Sequence, residues 1–165
     1  DLRPLTQLAN LTELSLNDAA SVADFTPLGS LARLAELTLT GCALLRDPTP
    51  LASLKRLKRL SISDAPALDS LRPLAGLERL ESLTLPRCKA LADLSALTRL
   101  PRLKRFWLGD TSKALDRASL GQLAQRGVSI YPDDWRTVTE AEAEPVPPPD
   151  DGPMPPPEPP DGGEF

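Results

Sequence analysis

Four arginines, Arg33, Arg56, Arg79 and Arg102, stand at intervals of 23 residues, and Asn10 precedes them in the same column. With Lys55, Lys58 and Lys104 nearby, they make a basic edge suited to an anionic partner, because a guanidinium holds carboxylate or phosphate through paired N–H donors. A simpler reading needs no ligand: an arginine at the end of a short helix meets the negative end of its dipole. Nucleic acid receives little support, since no aromatic residues interleave with the arginines to stack on bases. A second column, Glu13, Glu36, Arg59, Ser82 and Arg105, drifts from acidic to basic and ends beside Trp107. Trp and Arg are the side chains that most often anchor a protein interface.

Other chemistries find few residues to work with. The 165 residues contain no His, which removes His-based acid–base relays, Ser-His-Asp and Cys-His nucleophiles, and His-ligated zinc. Two cysteines, Cys42 and Cys88, are too few for a disulfide framework or a four-thiolate metal site. There is no Gly-rich phosphate loop and no nucleophile with a partner base, and the nearest carboxylate pair is Asp133-Asp134. The chain reads as a non-enzyme with no cofactor and no metal. No apolar run approaches the ~20 residues that span a bilayer.

The elements that position these columns follow from the leucines. There are 33 of them, against three Phe, two Trp and one Tyr, a bias that points to a repeat. Leu5, Leu28, Leu51, Leu74 and Leu97 form one column at the 23-residue interval, and Leu8, Leu31, Leu54, Leu77 and Leu100 form the next. Leu11, Leu34, Leu57, Leu80 and Leu103 follow, then Leu14, Leu37, Leu60, Leu83 and Phe106, then Leu16, Leu39, Ile62, Leu85 and Leu108. Spacing of three from Leu5 to Leu14 predicts a 3₁₀ or short α-helical turn, and the alternation at Leu14 and Leu16 predicts a strand. Strands are expected over 13–17, 36–40, 59–63, 82–86 and 105–108. Thr26-Pro27 and Thr49-Pro50 read as N-cap and first turn of the helical segments. One such unit cannot bury its leucines alone, so the units must stack into a solenoid.

The pattern Leu-x-x-Leu-x-Leu-x-x-(Asn or Cys)-x-x-Leu resembles the leucine-rich repeat family, and Asp1-Leu2-Arg3-Pro4-Leu5 resembles its bacterial internalin-like subclass. The 23-residue unit is one residue longer than the common internalin repeat and is also similar to the C-terminal repeat arrays of NACHT-type signalling ATPases. The resemblance implies an α/β solenoid with a parallel sheet on the concave face and short helical or 3₁₀ segments on the convex face. It further implies non-catalytic protein recognition or ligand sensing within a larger bacterial protein. The lead setting is a cytoplasmic signalling receptor with an N-terminal neighbouring domain, and the alternative is a surface-displayed adhesion module. Where the family has an Asn after the strand, this chain has Ala19, Cys42, Ala65, Cys88 and Thr111. Ala offers no donor and a thiol only a weak one, so backbone bonds and water must hold these turns.

Register also assigns faces. Side chains between the inward leucines point to the open side of the sheet, which makes Glu13, Glu36, Thr38, Arg59, Ser61, Thr84, Arg105 and Trp107 the candidate binding residues. Cys42 and Cys88 share a column two coils apart, about 9 to 10 Å, beyond the ~7 Å a disulfide bridges, so both should be buried, free and inert.

Residues 1–110 thus form five repeat units. Residues 111–132 read as a terminal capping unit in which the period fails, with a helix in 114–126, Gly127 at its end and a strand at Val128-Ser129-Ile130-Tyr131. Residues 133–165 hold ten acidic residues and one basic, and ten prolines fall between Pro145 and Pro160, the composition of a disordered acidic tail. Residues 1–132 carry 18 basic and 13 acidic residues, net +5, so the overall charge of −4 conceals a basic body joined to an acidic tail.

Overall fold

A computed structural model describes residues 1–110 and 116–132 of the chain. Six strands, β1 (Glu13–Leu16), β2 (Glu36–Thr40), β3 (Arg59–Ser63), β4 (Ser82–Thr84), β5 (Arg105–Trp107) and β6 (Ser129–Tyr131), form one parallel sheet in chain order. Five 3₁₀ turns lie behind it, at Arg3–Gln7, Thr26–Ser30, Thr49–Ser53, Arg72–Gly76 and Ser95–Arg99. A single α-helix, α1 (Arg117–Gln125), packs on the last of them. Expectations for the acidic tail, and for Trp135 as a cover over Trp107, fall outside the described residues.

Leucine at every third position is the register of the backbone itself. Leu28 N–H donates to the Phe25 carbonyl, Leu31 to Leu28 and Leu34 to Leu31, so each inward leucine closes one tight turn and opens the next. Strand pairing then aligns Leu14, Leu37, Leu60, Leu83 and Phe106 across the sheet. From the second coil to the fifth, these columns are buried almost without exception, with Leu28, Leu51, Leu74 and Leu97 all at 0% exposure. At each strand entry one carbonyl accepts two consecutive N–H groups of the next coil; Ala35, for example, takes Lys58 at 2.8 Å and Arg59 at 3.1 Å.

Four details differ from the sequence expectation. The threonines do not cap. Asp24 and Asp47 each accept from the N–H (2.9 Å) and hydroxyl (2.6 Å) of the Thr two residues on, and Asp1, Ser70 and Asp93 accept from the corresponding N–H. A short acceptor set two residues back reaches the first orphan donor of the turn, whereas Thr26 and Thr49 already lie within it. β4 stops at Thr84, not residue 86, because Pro86 has no N–H for the ladder; β1 and β5 each end one residue early.

The period also outlasts Leu108. Asp116, Leu120 and Leu123 lie 23 residues beyond Asp93, Leu97 and Leu100; Asp116 caps α1 through Ser119 N–H at 3.1 Å, and both leucines are buried. Without the proline of the earlier turns, and with Ala, Gln and Leu favouring helix, this segment forms α-helix and adds one residue. Phe106 therefore pairs with Ile130, a step of 24. Arg126 replaces the next inward leucine and donates to the Thr98 and Leu100 carbonyls, both at 2.6 Å.

Fourthly, Arg33, Arg56 and Arg79 are not at helix ends. Each sits in a β-turn between the 3₁₀ segment and the strand, closed by Leu34, Leu57 or Leu80 donating to Leu31, Leu54 or Leu77. Arg102 occupies the corresponding turn. The dipole explanation fails because a second turn, with its own closed hydrogen bond, separates the guanidinium from the helical carbonyls.

Candidate binding face

The strands set three open-face columns. Hydroxyls fill most of the central one, Ser15, Thr38, Ser61 and Thr84, and two aromatics end it, Trp107 and Tyr131 paired on neighbouring strands. Such a cross-strand aromatic pair stabilises the sheet and leaves a broad apolar surface outward. Gly109 positions the indole: its φ is +50°, and a Cβ there would lie 2.9 Å from Pro86 Cβ and 3.5 Å from Trp107 Cη2. A larger residue would be strained and would press on the ring.

Beside this column run Glu36, Arg59, Ser82 and Arg105. Glu36 and Arg59 form an ion pair across adjacent strands, whereas the exposed Arg105 makes no hydrogen bond or ion pair among the described residues. Together the columns line a shallow groove of about 230 Å³. Seven of the eight candidate residues border it, namely Glu36, Thr38, Arg59, Ser61, Thr84, Arg105 and Trp107. Glu13 does not; it lies on the first strand, outside the groove. Tyr131 was not among the candidates, because the extra residue in α1 shifts β6 out of the 23-residue register. The aromatic itself, in a strand of alternating pattern, was the available signal.

The turns after the strands are held as their missing Asn requires. Ala19, Gly41 and Asp64 N–H groups donate to Thr40, Ser63 and Pro86 carbonyls of the next coil, at 3.0 to 3.2 Å. Asp18, Gly41, Asp64 and Arg87 adopt left-handed φ values of 54° to 70° there. Arg87 bridges Asp64 with an Nη2–Oδ2 contact of 2.6 Å, and this hydrogen bond holds the Asp64 carboxyl below its ordinary range. Cys42 and Cys88 are buried and free, and Cys88 Sγ lies 3.5 Å from the Ile62 carbonyl. Burial pushes both thiols up to about 11, which keeps them protonated and unreactive at neutral pH. Among the described residues no group of three or more Cys, Asp or Glu side chains is placed to hold a metal, and no helix is long and apolar enough to cross a membrane.

One sheet, one turn type and five repeated apolar columns leave a single architecture. The chain is a leucine-rich repeat solenoid. Solved structures of that kind align with it. Internalin C2 of Listeria monocytogenes superposes with a TM-score of 0.66 at 28% identity, over 79% of this chain and 54% of that one. Another L. monocytogenes internalin gives 0.62 at 24%, over 76% and 36%. A leucine-rich repeat protein of Leptospira interrogans gives 0.55 at 20%, over 76% and 38%. The chain thus spans between a third and about half of these neighbours. No protein-family model matches the sequence, and no curated protein does.

Proposed function

We propose that this leucine-rich repeat array is a protein-recognition module that engages its partner on the open sheet face, centred on Arg105, Trp107 and Tyr131. The observation that carries this reading is the aromatic pair at the end of a hydroxyl-lined groove, with a guanidinium beside it that the chain itself leaves unengaged. Partners that fit present an apolar side chain to the rings and a carboxylate to Arg105. Thr38, Ser61 and Thr84 supply hydroxyls that donate or accept as the partner requires.

Photo-crosslinkers placed at Thr84 on the open face and at Thr98 on the 3₁₀ face test the assignment in extracts of the source cells. Adducts should form from Thr84, and Trp107→Ala should weaken the captured complex about 30-fold, the effect of losing a ~2 kcal/mol anchor. Adducts confined to Thr98 would sink the reading.

Two settings fit such a module. Likeness to the two internalins supports surface display or secretion; the 23-residue unit supports the C-terminal array of a cytoplasmic signalling ATPase. The parent open reading frame separates them, since a secretory signal marks the first and Gly-x-x-x-x-Gly-Lys-(Ser or Thr) the second.

A further inference from the structure

Charges elsewhere on this solenoid alternate from coil to coil. Glu36 pairs with Arg59, Arg46 with Asp69, Asp64 with Arg87 and Glu81 with Lys104, each pair 23 residues apart, so that neighbouring rungs attract. The turn column breaks this rule. Arg33, Arg56, Arg79 and Arg102 occupy four successive rungs with one sign, all exposed, and among the described residues none makes a hydrogen bond or ion pair. Rungs are about 4.8 Å apart, and like charges facing each other at such a spacing destabilise a sheet edge. Folding alone gives no reason for the ladder, because the helix-dipole account fails on geometry.

We infer that the arginine ladder is a binding surface for an extended acidic peptide, and that its occupant is the chain's own segment from Glu140 to Asp151. Charge complementarity is the first argument. Glu140, Glu142 and Glu144 alternate with small residues, and Asp150 and Asp151 follow, within a stretch of ten acidic residues and one basic. In an extended peptide, alternate side chains on one face advance about 6.6 Å. Long, jointed arginines on ~4.8 Å rungs can follow that spacing.

Reach is the second argument. The chain leaves the described fold at Pro132, directly after β6, whose neighbour β5 follows the Arg102 turn. Eight residues from Pro132 to Glu140 span up to about 26 Å, and β6 is only about 10 Å long. The acidic segment can therefore return past the strand and lie along the rungs toward Arg33. Tethering makes its effective concentration millimolar in order, which compensates for contacts that are individually weak and salt-screened.

Full-length variants test this without cutting the chain. One neutralises the segment with Glu140→Gln, Glu142→Gln, Glu144→Gln, Asp150→Asn and Asp151→Asn. Another adds Arg33→Gln, Arg56→Gln, Arg79→Gln and Arg102→Gln, or Arg56→Gln and Arg79→Gln alone should the larger set unfold. The readout is fluorescence anisotropy of labelled poly-glutamate. Neutralising the segment should tighten poly-glutamate binding about tenfold at about 25 mM salt, with the gain lost by about 300 mM. The added arginine substitutions should abolish it. Equal affinity for the wild-type and segment-neutral proteins overturns the choice of occupant. Absence of binding in both overturns the surface, and tighter binding of an oligo-dT strand than of poly-glutamate reassigns it to nucleic acid.

Discussion

The first coil and the third carry the same apolar columns, yet they are buried to different depths. Leu8 is 48% exposed and Leu54 is at 0%; Leu14 and Leu16 are partly exposed, whereas Leu60 and Ile62 are at 2% and 0%. Neither the side chains nor their spacing account for the contrast. The third coil has a neighbour on each side and the first has one among the described residues. A coil of this kind owns its backbone turns but borrows its core from the adjacent rungs, the nearest-neighbour energetics of stacked repeats.

Position along the stack should therefore outweigh residue type in stability. Leu60→Ala should cost about 2 to 5 kcal/mol, with the cavity left between two rigid neighbours. Leu14→Ala, the same change two coils earlier, should cost roughly half as much, because part of that side chain already faces solvent. Urea melts of the two variants check this. Equal costs would break the comparison.

The opposite end sharpens it. Asp116 fastens α1 through the N–H and hydroxyl of Ser119, at 3.1 and 2.5 Å. Asp116→Ala should cost about 1 kcal/mol, and hydrogen exchange should accelerate in β6 and β5 while β1 stays unchanged. Acceleration of β1 as well would show one cooperative block rather than a stack of neighbours.

Smallest and most evenly spread is the effect of acid. Hydrogen bonds from Thr26, Thr49 and Ser95 hold the carboxyls of Asp24, Asp47 and Asp93 below their ordinary value, and Lys104 does the same for Glu81. A group whose folded pKa is depressed stabilises the fold above its unfolded value, and that stabilisation is lost as pH falls through the folded value. Melting temperature should hold from pH 7 to about 5 and fall below about 4. The four carboxyls are exposed, so solvent screening keeps each contribution small. A melting temperature that is flat or rising toward pH 2.5 would remove these carboxyls from the account.

Much of this was legible in the sequence because the physics repeats. Five copies of one spacing fixed the leucine columns, the strand faces and seven of the eight groove residues. The Asp column at residues 1, 24, 47, 93 and 116 has the same period, yet it escaped notice because Thr-Pro reads as a complete cap by itself. Tyr131 escaped because one extra residue in α1 moves β6 off the period, and the choice between 3₁₀ and α in that segment is a local balance of proline and propensity. The turn arginines kept their column but not their explanation; which carbonyls a guanidinium faces depends on a hydrogen-bonded turn that spacing alone does not reveal.

Arg126 has a consequence for how long such a molecule can be. Its guanidinium occupies the place of the next inward leucine and takes two carbonyls of the preceding coil, at 2.6 Å each. An additional 23-residue unit spliced between β1 and β5 would meet leucines above and below and extend the array by one rung. The same unit spliced after Arg126 would meet a charged side chain already committed to the coil beneath. Lengthening by duplication is thus open in the interior and closed at this end, and recombinant arrays built on this scaffold should keep residues 116–132 as a fixed terminus.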